Sequence, residues 1–267
     1  MPELPEVRTV AKVLKNNLLN KRITNIEIIY PKMIEENSLD FHNLVGKTLT
    51  NIETKGKFLI FTFEDLYLVS HLRMEGKYFI KKLTDPVEKH EHIIFEFGDL
   101  SVRYHDTRKF GRMILVKDLK DYKSLDKVGL EPFDKNLTKE KLQANLKSKL
   151  PIKELLLDQS IIAGLGNIYA NEVLFASKIN PLKKGEDISL KECQSIIDNS
   201  ISILNKAIEY GGTTIKSYTS SLGVTGHYQD YLKVHKREGL PCEVCNNPII
   251  NIKVGGRSTY YCPKCQK

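Results

Sequence analysis

Four cysteines near the C-terminus constrain this chain more than any other feature. Cys242-x2-Cys245 and Cys262-x2-Cys265 are separated by sixteen residues, a spacing that lets four thiolates surround one tetrahedral Zn²⁺. Turn residues fall at the knuckles and at a hairpin tip (Asn246-Asn247-Pro248, Gly255-Gly256, Pro263), with strand-like Ile249–Val254 and Ser258–Tyr261 between the pairs. The competing arrangement, two disulfides, needs an oxidising compartment. The chain begins Met1-Pro2-Glu3, with early acidic residues and no basic patch leading into an apolar core, so no secretory signal is read and a cytoplasmic location is expected. Zinc is therefore the expected occupant. Four protein ligands leave no open position, so the metal should be structural, and so small a hairpin should draw much of its folding energy from it. The fifth cysteine, Cys193, lies on an apolar helical stripe and reads as a small core residue.

The rest of the chain divides by periodicity. Val7, Val10, Ala11, Leu14 and Leu18 line one helical face over residues 4–18. From there to about Val116 short runs rich in β-branched and aromatic residues predict an antiparallel sandwich or barrel: Ile23–Tyr30, Phe58–Phe63, Tyr67–Leu72, Tyr78–Lys82, His92–Phe97, Ser101–Tyr104 and Arg112–Val116. After Pro132 the pattern turns helical, at Lys139–Leu146, at Ile152–Ser160 leading into Tyr169–Ser177, and at Leu190–Tyr210 with Ser189 as its cap and Gly211 as its stop. Residues 217–238 read as a long polar loop, of the kind that is functional or disordered. The most apolar stretch, Ile152 to Leu165, is interrupted by Lys153, Glu154 and Asp158, so no membrane span is predicted.

Charge nominates a polyanionic partner. The net +8 is concentrated in residues 101–150 (13 Lys+Arg against 7 Asp+Glu) and 201–267 (9 against 4), and two such regions could converge on nucleic acid. Solvated lysines on exposed faces account for the same count. Two further features are ambiguous alone. The Ala163-Gly164-Leu165-Gly166-Asn167 turn could hold backbone amides beside a phosphate or be an ordinary helix connection. Arg257, beside Gly255-Gly256 at the hairpin tip, could reach a partner or remain a solvated turn arginine.

The N-terminus carries a nucleophile if Met1 is removed. Pro2 then becomes a secondary amine with an ordinary pKa near ~7.7–8.0, able to attack a sugar C1′ and form an iminium, while Glu3 can donate or relay the proton.

Together these residues resemble the formamidopyrimidine-DNA glycosylase family, of the larger group that includes endonuclease VIII. The resemblance rests on PELPEV (Pro2–Val7), HLRMEGK (His71–Lys77), RYHDTRKFG (Arg103–Gly111), AGLGNIYANEVLF (Ala163–Phe175), GGTT (Gly211–Thr214) and GGRSTYYCPKCQ (Gly255–Gln266), in family order over nearly the whole chain. It implies an α+β protein: an N-terminal β-sandwich with a flanking helix (1–133), a helix-two-turn-helix DNA-binding domain (134–238) and a zinc ribbon hairpin (239–267). It implies a monomeric bacterial base-excision enzyme that holds one Zn²⁺ and acts on double-stranded DNA bearing an oxidised base or abasic site. Oxidised purines, 8-oxoguanine and formamidopyrimidines, are the implied targets, followed by strand cleavage through β,δ-elimination.

By the same resemblance Pro2 is the nucleophile, Glu3 the general acid/base and Glu6 a second carboxylate of the signature. Lys57 contacts a phosphate at the lesion and assists catalysis, and His71 belongs to the DNA-contacting set. Met74, Arg108 and Phe110 fill the gap left by the extruded base, which offsets a few kcal/mol of lost stacking. Asn167 and Arg257 hold phosphates around the lesion, Lys153 lies near the DNA, and the loop at 217–226 covers the flipped purine. Thr107 and Lys109 stand where Pro and a second Arg are usual, and His235-Lys236 replaces the usual Tyr-Gly before Arg237, so the phosphate contact that the resemblance implies at position 235 falls to a histidine, which can still donate. An endonuclease VIII-like enzyme for oxidised pyrimidines is the nearest alternative, disfavoured by Leu4, the wedge set and the long loop. A non-catalytic damage-binding relative is disfavoured by the intact Pro2-Glu3 pair.

Overall fold

Pro5 in the first turn and an apolar residue every three or four positions make Leu4–Leu18 a helix, α1. The computed structural model describes residues 1–213 and 226–267 and divides into two units: Met1–Asp126 with Gly211–Gly226, and Lys127–Tyr210 with His227–Lys267. Most of the polar loop expected at 217–226 lies outside the described residues.

The first unit holds two four-stranded antiparallel sheets. With β1 Asn25–Ile28, β2 Leu49–Lys55, β3 Phe58–Phe63, β4 Leu66–His71, β5 Lys77–Lys82, β6 Glu91–Phe97, β7 Leu100–His105 and β8 Arg112–Val116, their orders are β1-β6-β7-β5 and β2-β3-β4-β8. Leu59, Phe61, Phe63, Leu68 and Leu115 of the second sheet share a buried core with Ile93, Phe95, Val102 and Tyr104 of the first, and with Val7, Val10, Leu14 and Leu18 of α1. This is the expected sandwich with its helix. The opposite face of the second sheet is also covered: Ile60, Val69, Ile114 and Val116 pack on Leu125 of the short helix α2 (Lys123–Asp126). Two covered faces explain why Phe58–Phe63 is a nearly continuous apolar run rather than an alternating one.

β2 is absent from the sequence expectation. Its segment LTNIETK is mostly polar, and the register shift between Leu49 and Asn51 breaks the alternation that marks a strand.

A buried arginine pins the 82–91 connection to β7. Arg103, 1% exposed, donates to Ser101 Oγ at 2.9 Å, Pro86 O at 2.8 Å, Asp85 O at 2.7 Å, Lys82 O at 3.2 Å and Glu91 Oε2 at 3.1 Å. Because its removal leaves buried carbonyl acceptors without their donor and Glu91 with Lys81 as its remaining cation, Arg103→Met should cost roughly 3 kcal/mol. Urea unfolding would measure this, and a loss under about 1 kcal/mol would contradict the assignment.

In the second unit, α3 (Lys139–Asn145), α4 (Ile152–Leu155), α5 (Asn167–Ala176) and α6 (Leu190–Glu209) enclose a separate core that includes Leu142, Ile152, Tyr169, Val173, Cys193, Ile196 and Leu204. Cys193 is wholly buried there, and burial pushes its thiol up to about 11, so it is the inert core residue expected. Ser189 and Glu192 cap α6 reciprocally, Glu192 N–H donating to Ser189 Oγ at 3.2 Å and Ser189 N–H to Glu192 Oε2 at 2.9 Å. The helix expected over Ile152–Ser160 is only one turn. Asp158 Oδ1 accepts from Ser160 N–H at 2.9 Å and Ser160 Oγ at 2.7 Å, and this local competitor for the backbone ends the helical path. The hairpin β9 (Ile250–Val254) and β10 (Arg257–Tyr261) completes the unit, with Val254 paired to Arg257. Its turn has φ of +54° at Gly255 and +74° at Gly256, a left-handed pair that glycine adopts without strain. No helix of the described residues is long and apolar enough to cross a membrane.

Candidate functional site

In the first unit the chemistry gathers at the start of α1. Pro2, Glu3 and Glu6 are buried, Glu3 only 2% and Glu6 3% exposed. Glu6 Oε2 accepts from Glu3 N–H at 2.9 Å, while Oε1 accepts from Thr213 N–H at 2.9 Å and Thr213 Oγ1 at 3.1 Å. One carboxylate therefore fixes both the Pro2-Glu3 dipeptide and a segment 207 positions away in sequence. A Cβ on Gly212 would stand 2.7 Å from Glu6 Oε1, and one on Gly226 would stand 2.5 Å from Gly212 O. The two ends of the 213–226 segment thus close against each other above Glu6. Burial lowers the pKa of the Met1 amine and Lys57 adds to this, while Glu3, Glu6 and Glu75 oppose it. Those four side chains are the charged surroundings of the N-terminus.

Lys57, 4% exposed, sits in the two-residue turn between β2 and β3, where Gly56 has φ +57°. His71 ends β4 with its Nδ1 accepting from Arg73 N–H at 3.0 Å and its ring edge-on to Phe58 at 4.6 Å. Burial, with Arg73 and Lys57 adding, pushes its pKa down to about 3. His71 is thus a neutral imidazole whose Nε2 carries the proton.

A base whose folded pKa lies below its unfolded value near 6.5 binds fewer protons when folded, so stability rises with pH between about 3 and 6.5. Acidifying from pH 7 to pH 5 should therefore destabilise the protein, and His71→Gln, which keeps an acceptor for Arg73, should lessen that loss. Urea midpoints at the two pH values test this; an equal loss in wild type and variant would refute it.

The expected wedge residues lie on two adjacent turns. Asp106, fully buried, accepts from Arg108 N–H at 2.9 Å and Gly111 N–H at 2.8 Å and so shapes the 106–111 turn. Arg108 stacks over the Phe110 ring at 4.8 Å, and Phe110 is 47% exposed. A Cβ on Gly76 or on Gly111 would lie 2.1 Å or 1.7 Å from the Tyr104 hydroxyl. Both turns consequently rest on Tyr104 with no room for a side chain, which brings Met74 and Phe110 onto neighbouring supports. Thr107 Oγ1 donates to Glu75 across the two turns.

In the second unit Asn167 opens α5, its Nδ2 donating to Ser258 O on β10 at 2.9 Å. Arg257 is exposed at the start of β10. Lys153, expected near DNA, is wholly buried, with Nζ donating to Asn167 O at 3.1 Å and Asn171 Oδ1 at 2.5 Å. Sequence reasoning missed two anchors on α5. Glu172 accepts backbone N–H groups from Lys233, Val234 and His235 at 2.8, 3.1 and 2.8 Å, and Asn171 meets the His235 ring. Their signal was available: two polar residues in the middle of a helix that is apolar all round.

The four cysteine sulfurs lie within 4.8 Å of one another, with Cys245–Cys262 at 3.4 Å and Cys242–Cys265 at 3.9 Å. A Zn–S bond of about 2.3 Å requires tetrahedral S···S edges of about 3.8 Å. The cage fits one structural Zn²⁺, and its polypeptide core is small: Val234 and Ile249 beside Cys242 and Cys262.

Comparison with known proteins places these features in one context. Residues 1–113 match the formamidopyrimidine-DNA glycosylase N-terminal domain, 128–219 the formamidopyrimidine-DNA glycosylase H2TH domain, and 239–267 the zinc finger found in FPG and IleRS. The chain is 48% identical over 272 residues to a formamidopyrimidine-DNA glycosylase of Ligilactobacillus salivarius, covering 100% of this chain and 99% of that one. It is 43% identical, with the same coverage, to one of Streptococcus pneumoniae. Among solved structures, Lactococcus lactis Fpg in complex with DNA containing an abasic site superposes with a TM-score of 0.92 at 40% identity over 99% of each chain. The same enzyme with DNA containing N7-benzyl-Fapy-dG gives 0.90 at 42% over 100% of each.

Proposed function

Because the chain belongs to the formamidopyrimidine-DNA glycosylase family, and is a zinc-containing DNA-repair glycosylase, we propose that it removes oxidised purines through an iminium at Pro2 and nicks the strand by β,δ-elimination. The observation that carries this reading is the buried Pro2-Glu3-Glu6 start of α1, with Lys57 among its charged neighbours.

Pro2 is in an amide while Met1 is attached. Once Met1 is removed, its nitrogen becomes a secondary amine whose ordinary pKa near ~7.7–8.0 leaves a neutral, nucleophilic fraction at pH 7. The amine bonds to C1′ as the base leaves with the glycosidic electron pair, and Glu3 supplies the proton that this departure needs. Loss of the amine proton and opening of the sugar give the iminium, whose electron demand acidifies the C2′ protons, and successive eliminations expel the 3′ and 5′ phosphates. Glu6 holds the dipeptide in place through its hydrogen bond to Glu3 N–H.

Met74, Arg108 and Phe110 take the role of the extruded base, with Tyr104 and Asp106 holding their turns. Lys57, His71, Asn167 and Arg257 contact the DNA backbone, while Lys153 acts through Asn167 and Asn171. The substrate and the reducing needs of the thiolate cage assign the enzyme to the bacterial cytoplasm. The long segment after Thr213 and the Arg108–Phe110 stack favour purines over pyrimidines as the target.

Strand cleavage of matched duplexes carrying 8-oxoguanine, a formamidopyrimidine or thymine glycol tests the substrate class. Preferential release of the two purine lesions, with phosphates on both ends of the gap, is expected; preference for thymine glycol would move the enzyme to the pyrimidine class.

A further inference from the structure

Two neighbouring turns carry the proposed wedge. Residues 72–76 lead from β4 to β5 and residues 106–111 from β7 to β8, and ladder pairs pin their ends to each other, His71 with Arg112 and Lys77 with His105. Met74 rides on the first turn, Arg108 and Phe110 on the second.

Neither turn has a backbone that holds its shape unaided. Arg73 has φ +53° and Lys109 φ +57°, left-handed values that cost a residue with a side chain free energy. From within, Asp106 restrains the second turn and Tyr104 lies beneath both. Lys77, at their base, is within electrostatic reach of Glu75 on one and Asp106 on the other.

On the outer side a hydrogen bond crosses between them, Thr107 Oγ1 donating to the Glu75 carboxylate. Where the resemblance expects a proline, which has no hydroxyl, this chain supplies the donor. Both residues are exposed, so water competes with the bond in the free protein. A duplex laid over the wedge would exclude that water and strengthen it.

Resting on the wedge reading above, we infer that Thr107 is a positioning residue that ties the two turns together, so that Met74, Arg108 and Phe110 enter the duplex as one preassembled unit. Insertion has to offset the stacking lost by the extruded base, and side chains on a tied support give up less freedom as they enter.

Stopped-flow fluorescence of 2-aminopurine placed next to 8-oxoguanine, with the zinc-loaded chain freed of Met1, follows that insertion. Thr107→Val keeps the shape and loses the donor; it should slow unstacking about tenfold, the lower end for one hydrogen bond to a charged group, while Thr107→Ser should stay within about twofold of wild type. Cleavage at a preformed abasic site, where no base has to be extruded, should change less than about twofold in Thr107→Val. Unstacking by Thr107→Val at the wild-type rate overturns this inference alone. Serine as slow as valine, or equal slowing on the two substrates, overturns it as well, because either marks a general defect of the turn. Wild-type protein that unstacks no base overturns the wedge reading and this inference with it.

Discussion

Removing the zinc is expected to abolish tight binding to damaged DNA while leaving most of the helical signal intact. The ribbon's core is two aliphatic side chains and the cysteines, so the metal, which contributes on the order of 10–16 kcal/mol to such small domains, holds the hairpin together. The α3–α6 core shares none of those buried residues and should survive. With the hairpin would go Arg257 and the Ser258 carbonyl that orients Asn167, the two proposed phosphate ligands of this unit. At roughly 1.5–3 kcal/mol for each hydrogen bond to a charged group, two such contacts correspond to at least about a hundredfold in affinity. Chelation, or Cys245→Ser, followed by circular dichroism and titration with an abasic-site duplex, measures both effects. Unchanged affinity in zinc-free protein would contradict a structural metal.

Glu3→Gln should lower excision of 8-oxoguanine by about 10²–10⁴-fold, the usual contribution of a positioned acid, without loosening the fold. The fold is spared because the bond to Glu6 is made by the backbone N–H of Glu3, which glutamine retains. Cleavage at a preformed abasic site should suffer less, since no base has to be protonated there. Comparing the two substrates in single-turnover assays separates these steps; excision within tenfold of wild type would remove Glu3 from the acid role.

The sequence exposed the parts of this protein whose pattern is local. The α1 stripe, the Phe58–Phe63 and Arg112–Val116 strands, the Ser189 cap and the four cysteines each announce themselves within a few residues, and the structure has them where they were expected. β2 did not, because its ladder depends on partners rather than on its own polar residues. Contacts between distant segments were equally invisible. Glu6 meets Thr213 across 207 positions, and Tyr104 fills the space beneath Gly76 and Gly111. Lys153 was expected near DNA, but its burial and its bonds to Asn167 O and Asn171 Oδ1 could not be read from the sequence. The proposed wedge positions were legible only through the family motifs, since an exposed phenylalanine carries no chemistry on its own, whereas Pro2 and Glu3 offered an amine and an acid that the motifs made specific.

The whole account depends on a covalent bond between DNA and Pro2. Borohydride added during reaction with an 8-oxoguanine duplex reduces an iminium to a stable amine, so it should yield a protein–DNA adduct that survives denaturation. The adduct should vanish in Pro2→Gly and in protein that retains Met1. Strand cleavage without any trapped adduct, or an adduct of undiminished yield when Met1 is retained, would contradict it.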